Sequence, residues 1–306
     1  MERMTFEEFK NEVVARVKDF LPESFADAEV SLKEVKKNND LQLTGLIIIS
    51  PQTNICPNIY LDSFYEDYKE GVDMNEILEE IANLRVDQDV SEPFDMSWIT
   101  DFEQVKGKLI PRLVNAAMNA TLLSERPHKY IADLAVTYCA LLDQSLGRTA
   151  SVPISNEFME MWGISVDELH DIAVSNMLDL LPSTFKGLTE ATAESIGMSL
   201  EEMQMMGIPM PTEEDFAYVL SNEVRVCGAS ALFDVKMMEE ITERIGAFYI
   251  LPANVHEVLV VPMEDKSTEE LKEMVHEVNA TQVSPDERLS DNIYTYNLEE
   301  GLRIVA

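Results

Sequence analysis

The sequence Phe-Tyr-Ile-Leu-Pro-Ala-Asn-Val-His-Glu-Val-Leu-Val-Val occupies residues 248–261. Residues 248–251 and 257–261 are short apolar runs rich in aromatic and β-branched side chains, and a Pro-Ala-Asn segment separates them. Two such runs on either side of a turn predict a pair of neighbouring strands. We therefore expect a β-sheet that includes this pair, with His256 next to the turn.

Apolar periodicity predicts further elements on both sides of this strand pair. Helices are expected to begin at Ser165, Asp234 and Ser267, because apolar side chains follow each of them at helical spacing. Ser165 and Ser267 also have a glutamate three residues later, as in a capping box. The other strands predicted in this part of the chain are residues 108–117, 131–142, 216–220, 292–297 and 302–305. Residues 224–229 are expected to form a strand or a turn.

The first hundred residues predict a separate α/β layer. A helix follows the capping box formed by Thr5 and Glu8, and a turn at residues 37–40 joins two predicted strands, 28–35 and 41–50. A third strand is expected at residues 55–61. One helix is expected directly after this strand, and a second is expected to begin at Asp73.

A polar connection at residues 86–100 supplies a plausible boundary between two parts of the chain. The predicted fold class is α+β, with mixed, mostly antiparallel sheets, packed helices and two α/β lobes. The first lobe covers residues 1–100. The second covers residues 101–306 and includes a methionine-rich segment at 183–213.

Composition restricts the classes of partner. The 306 residues include 57 acids and 23 bases, a formal net charge of −34, and the excess is spread along the chain. Direct nucleic-acid binding is not expected, because such binding depends on Lys and Arg that neutralise phosphates, and no basic run is present. Anionic membrane surfaces are disfavoured for the same reason. Since no apolar run is long enough to span a bilayer and no secretory signal is evident, a cytoplasmic protein is expected.

Motifs for metal, cofactor or nucleophilic chemistry are absent from the sequence. The three cysteines, Cys56, Cys139 and Cys227, are far apart and lack CxxC spacing, so we expect neither a disulfide nor a zinc site. No phosphate-binding glycine loop, dinucleotide fingerprint or GxSxG elbow occurs. The sequence therefore predicts no cofactor, no metal and no assignable catalytic residue.

The four histidines differ in their surroundings. His170 and His276 are expected to be solvated surface residues, whereas His256 lies at a loop end, where functional residues often gather. His128 belongs to a locally basic stretch, residues 126–130, which either holds an anion or an acidic partner or pairs with nearby carboxylates.

The methionine-rich segment is the strongest candidate for partner binding. Five of the 17 methionines fall between residues 198 and 210, among glycines and prolines. Methionine is flexible and polarizable, and exposed methionine surfaces serve adaptable protein binding. The alternative is an irregular core packed with methionine. The predicted partner-binding residues are Met198, Met203, Met205, Met206, Met210, Asn254, His256, Glu257 and Arg288.

Six segments carry a resemblance to known sequences: residues 138–142, 152–157, 162–169, 173–176, 248–258 and 286–296. Together they resemble an uncharacterised family of acidic cytosolic proteins from gram-positive gut bacteria. The order of elements is also distantly similar to a second uncharacterised family, of Bacillus type. The resemblance implies a cytosolic bacterial protein and no activity, cofactor or catalytic residue.

Three functional hypotheses follow. The first is a non-enzymatic protein-binding module that uses the methionine-rich segment or the 252–257 loop. The second is an acidic mimic of nucleic acid that occupies a DNA- or RNA-binding protein. The third is an enzyme of unrecognised type, in which His256, Glu257 and Arg288 converge as acid/base and anion-holding groups.

Overall fold

The computed structural model describes residues 3–51, 53, 56–89, 95, 97–142, 150–208, 216–263 and 267–305. The chain forms two compact units, one of Met1–Lys37 with Leu41–Met96 and one of Asn38–Asp40 with Ser97–Ala306. Both contain antiparallel sheets and helices, so the fold class is α+β, as predicted.

The described part of the first unit is a three-stranded antiparallel sheet with helices. Its elements are α1 (Phe6–Arg16), β1 (Glu29–Lys36), β2 (Gln42–Ile49), β3 (Ile59–Tyr60), α2 (Leu61–Glu70) and α3 (Met74–Asp87). The strand order is β1-β2-β3. The predicted hairpin is confirmed, and α1 begins at the predicted capping box of Thr5 and Glu8. The third strand was predicted too long, because, of the described residues in that stretch, 56–61, Ile59–Tyr60 alone pair with β2.

The core of this unit consists of apolar side chains from all three helices and the central strand. Phe9, Leu46, Ile48, Ile77 and Leu78 are each almost fully buried. Arg85 of α3 is buried beside them and donates from Nε to the carbonyl oxygen of Ile48 at 2.8 Å. The charge of Arg85 is matched by Asp89, at 2.7 Å from Nη1.

The second unit contains the remaining elements. Those before residue 182 are α4 (Phe102–Val105), β4 (Leu109–Asn115), α5 (Ala120–Ser124), β5 (Lys129–Ile131), β6 (Leu134–Leu141), β7 (Ser151–Pro153), α6 (Asn156–Trp162) and α7 (Val166–Leu180). Those after it are β8 (Ser183–Gly187), α8 (Leu188–Ser195), α9 (Leu200–Met205), β9 (Tyr218–Asn222), α10 (Val235–Ile245), β10 (Phe248–Asn254), β11 (Glu257–Pro262), α11 (Thr268–Thr281), β12 (Tyr294–Asn297) and β13 (Gly301–Ile304).

A six-stranded antiparallel sheet is built around the predicted β10–β11 pair. Its order is β13-β12-β10-β11-β9-β8. The pairing of β10 with β11 changes register between Leu251 and Asn254. Pro252 lies in this irregular stretch, where its missing N–H does not interrupt a regular ladder. The closing hairpin of β12 and β13 is also confirmed.

A second sheet is centred on β6, whose residues are all buried. β4 pairs with β6 on one edge, and β5 and β7 pair with two different parts of the other. The two-residue turn between β5 and β6 ends at Asp133. Its carboxylate accepts hydrogen bonds from Ser290, Asn292 and Tyr294, and these bonds attach the C-terminal segment to this sheet.

Candidate functional site

In the described part of the methionine-rich segment, residues 183–208, the short helices α8 and α9 follow strand β8. Gly197 follows α8 and Gly207 follows α9, both with positive φ. The N–H of the residue after each glycine donates back into the helix, from Met198 to Ala193 O at 2.9 Å and from Ile208 to Met203 O at 3.1 Å. Such caps favour glycine because a left-handed residue ends the helix without a Cβ clash.

The predicted methionines occupy three different environments. Met205 and Met206 are 87% and 69% exposed, whereas Met203 is 4% exposed and Met198 is half-buried. Met210 lies outside the described residues. Three more apolar side chains of the same stretch are exposed, those of Ile196, Leu200 and Ile208. Met203 is therefore the buried methionine of α9. The exposed apolar side chains of this stretch are together called the methionine surface: Ile196, Leu200, Met205, Met206 and Ile208.

The turn between β10 and β11 orders a second group of residues. Asn254 Oδ1 accepts hydrogen bonds from the backbone N–H groups of His256, at 2.6 Å, and Glu257, at 3.1 Å. The backbone N–H of Val255 donates to Glu287 O at 2.9 Å. The asparagine thus sets the turn, and Glu287 is brought next to His256.

Cys227 faces this turn from a strained loop. Its φ is +52°, a left-handed conformation that is uncommon outside glycine, and a 3-10 turn, Gly228–Phe233, follows directly. The Cys227 N–H donates to His256 Nδ1 at 3.3 Å, and Ser221 Oγ donates to His256 O at 2.7 Å. The loop is consequently fixed to the turn through the backbone and ring of His256.

Two cysteine thiols meet at this loop, Cys227 and Cys139 of β6, each 5% exposed. Interaction with the Cys139 thiol and the nearby positive charge of Arg112 lower the pKa of Cys227 against the opposing effect of burial. Interaction with Cys227 and burial raise the pKa of Cys139 well above its usual value.

Burial favours the neutral form of the His256 ring. Burial is the largest cause that lowers its pKa, Arg112 lowers it further, and Glu287 is the strongest opposing charge. Because Nδ1 accepts from the Cys227 backbone, the remaining proton is assigned to Nε2, which lies 3.6 Å from Glu287 Oε1. In this tautomer neither ring nitrogen is free to take a proton from a thiol.

The three residues proposed as an acid/base group are only partly brought together. Glu257 begins β11 beside His256, and its charge acts on the ring. Arg288 instead donates from Nε to Val283 O at 3.3 Å. The carboxylate that contacts His256 is that of Glu287.

Arg112 and Arg126 lie near the thiol pair. Arg112 is on β4 opposite Thr137, and its charge acts on Cys139, Cys227 and His256. Burial and the charge of Arg112 lower the pKa of Arg126. Both side chains are half-buried, so two guanidinium groups whose charges act on each other lie in an environment only partly reached by water.

The other histidines have separate roles. His276 is exposed, as predicted. The prediction for His170 is wrong, because its ring is half-buried against Tyr138 and Phe233, and Nδ1 lies 3.1 Å from the Tyr138 hydroxyl oxygen. Burial lowers the pKa of His170. Helical periodicity placed His170 beside the apolar face of α7, and two aromatic rings from other elements enclose it.

Within the described ranges, no group of His, Cys, Asp and Glu side chains could hold a metal ion. None of the described helices combines the length and apolarity required to cross a membrane.

The sequence pointed to His256 and to Arg126, within the basic stretch, and missed Cys139, Cys227, Arg112 and Glu287. A weak signal existed for Cys227, because Cys-Gly after a predicted strand is typical of a tight turn that exposes or strains the cysteine. No local signal links Cys139 to Cys227, because Cys139 lies on β6 and Cys227 lies in the loop after β9.

Comparison with the models of known protein families gives a match over most of the chain. The model of a family described as "Family of unknown function (DUF5688)" matches residues 6–298. No curated protein matches the chain, and no solved structure does.

Proposed function

The chain belongs to the DUF5688 family of unknown function, so its role has to follow from its own residues, and we propose that it is a non-enzymatic protein-binding module. The proposal rests on the exposure of Met205 and Met206, at 87% and 69%, at the C-terminal end of α9. Large exposed apolar side chains that cluster along one stretch of chain typically mark an interaction surface.

The caps and the buried side chain that hold α9 in place support a binding role for its exposed methionines. Ser199 and Glu202 form a reciprocal capping box at the start of α9, and Gly207 ends the helix. Buried Met203 attaches α9 to the unit. A flexible side chain on a fixed backbone can adapt to a partner without the cost of ordering the main chain.

Charge determines the kind of partner. Glu190, Glu201 and Glu202 are exposed on α8 and α9, in the same stretch as the methionine surface, and the whole chain carries a net charge of −34. An apolar surface with acidic surroundings fits an amphipathic helix whose polar face carries Lys and Arg. We therefore assign a basic amphipathic helix of another protein as the partner. We also infer a cytosolic bacterial setting, in which Cys139 and Cys227 stay reduced.

The test uses a synthetic peptide of about 20 residues, an amphipathic Leu/Lys helix, and a scrambled peptide of the same composition. Isothermal titration should show binding of the amphipathic peptide, and the M205S/M206S variant should bind about tenfold more weakly because two interface side chains are lost. The matched control is M161S, which removes a methionine that is 59% exposed on α6 and should leave affinity unchanged.

Two outcomes would contradict the proposal. One is equal affinity for the amphipathic and scrambled peptides. The other is unchanged affinity in M205S/M206S. Affinity could also be the same for the scrambled peptide and for M205S/M206S and yet fall steeply as salt is added. That result would instead indicate an acidic mimic of nucleic acid, the second hypothesis drawn from the sequence.

A further inference from the structure

Four arginines of this acidic chain have a carboxylate partner that Arg112 and Arg126 lack among the described residues. Arg16, Arg85, Arg225 and Arg303 each pair with a carboxylate. Among the described residues, neither Arg112 nor Arg126 makes an ion pair or donates a side-chain hydrogen bond, and the buried Nε of Arg112 has no hydrogen-bond partner. Unpaired buried donors and charges are costly, so this arrangement requires an explanation.

The two guanidinium groups repel each other, which is unfavourable unless a negative group is between them. The charge of Arg112 acts on Arg126 strongly enough to contribute to its lowered pKa. Glu125 is the carboxylate whose charge acts on Arg126, and it does not pair with it. The chain has 57 acidic residues, yet none of those described forms an ion pair with Arg112 or Arg126.

Rigid elements hold both arginines in place. Arg112 lies inside β4, between Ile110 and Val114, and pairs across the ladder with β6. The loop before Arg126 is fixed by Asn156, whose backbone N–H donates to Glu125 O at 3.0 Å and whose Nδ2 donates to Ser124 O at 3.1 Å. His128 Nδ1 also lies 2.9 Å from Arg126 O. A site on such supports is preorganised for a ligand.

We propose that Arg112 and Arg126 bind a dianionic oxyanion group, the phosphate or paired carboxylates of a small ligand, beside the Cys139–Cys227 thiol pair. Guanidinium groups match oxyanions through parallel N–H donors, and two of them match a double negative charge. This site is separate from the methionine surface, and each can fail without the other. An anion bound by Arg126 also agrees with one of the two interpretations of the basic stretch at residues 126–130, that this stretch holds an anion.

The experiment measures the midpoint of thermal unfolding of the full chain in phosphate, in malonate and in chloride at equal ionic strength. We expect phosphate or malonate to raise the midpoint by about 3 °C at ten times its dissociation constant. Calorimetric titration with the same anion should give one site. R112Q and R126Q should abolish both effects, whereas the control R303Q, which removes an exposed arginine paired with Glu300, should retain them.

The stability of the variants without added anion separates a binding role from a structural one. Because each substitution removes a repulsive charge, R112Q and R126Q should unfold at the same midpoint as the native chain or a higher one in chloride. A lower midpoint for both would mean that the arginines support the fold. The proposal is overturned by that result, or if neither anion stabilises the native chain relative to chloride.

The two anions identify the ligand class. Stabilisation by phosphate alone indicates a phosphate ester, and stabilisation by malonate alone indicates a dicarboxylate. R126K provides a second check, since it keeps the charge and loses the guanidinium fork. It should bind the anion more weakly than the native chain while remaining folded.

Discussion

At the scale of single residues, Gly228 explains how the Cys227 loop comes so close to the β10–β11 turn. A Cβ at this position would lie 2.1 Å from His256 O and 2.2 Å from Ser221 Oγ. Those two atoms are joined by a 2.7 Å hydrogen bond, so neither can move without breaking it. Glycine is required here for space and not for a positive φ.

Gly228→Ala should therefore destabilise the protein by roughly 2–3 kcal/mol or more, because the added methyl group displaces the turn and its hydrogen bond. Urea unfolding would measure the change in the free energy of unfolding. The matched control is Gly107→Ala, at a glycine whose Cβ would meet nothing within 4 Å. A G228A variant as stable as G107A would show that the loop is not packed as described.

At the scale of elements, α9 is too short to be stable alone. Its six residues, Leu200–Met205, are fewer than the length at which an isolated helix becomes even marginally stable. The helix depends on its capping box, on the glycine cap that follows it and on buried Met203. The orientation of Met205 and Met206 depends on the same three features.

Ser199→Ala should open α9 locally without unfolding the rest of the chain. Loss of a serine N-cap costs about 1 kcal/mol, equivalent to about fivefold faster hydrogen exchange in the helix. Hydrogen–deuterium exchange with mass spectrometry should show faster exchange in peptides covering residues 200–206. Ser195→Ala, at an exposed serine ending α8, serves as control. Equal exchange in both variants would mean that the cap does not hold the helix.

At the scale of the whole molecule, charge is the dominant property. A net charge of −34 over 306 residues causes self-repulsion that favours the unfolded chain. The ion pairs of the described residues are mostly on the surface, where each contributes little. Salt that screens the repulsion should therefore stabilise the protein.

The midpoint of thermal unfolding should rise by a few degrees as NaCl increases from about 0.02 M to about 0.5 M, since the Debye length shortens from roughly 20 Å to a few ångströms. Differential scanning calorimetry would measure this change. An uncharged osmolyte at equal osmolality is the control for effects other than screening. A midpoint that is constant or falls with NaCl would mean that repulsion between acidic side chains does not limit stability.

Local sequence signals were sufficient for most elements. The hairpin of β10 and β11, the caps at Thr5 and Ser165 and the hairpin of β12 and β13 depend on residues only a few positions apart, and the structure confirms all of them. The helices α8 and α9 were missed because two short helices between glycine caps show too few turns for apolar periodicity to be recognised.

Tertiary contacts alone determined the group around Cys227. Cys139 comes from β6, Arg112 from β4, His256 from the β10–β11 turn and Glu287 from the C-terminal segment. Their proximity depends on how two sheets pack and on which side each strand presents. Likewise, only packing distinguished buried Met203 from exposed Met205 and Met206, because burial depends on what lies against a helix and not on the residue type.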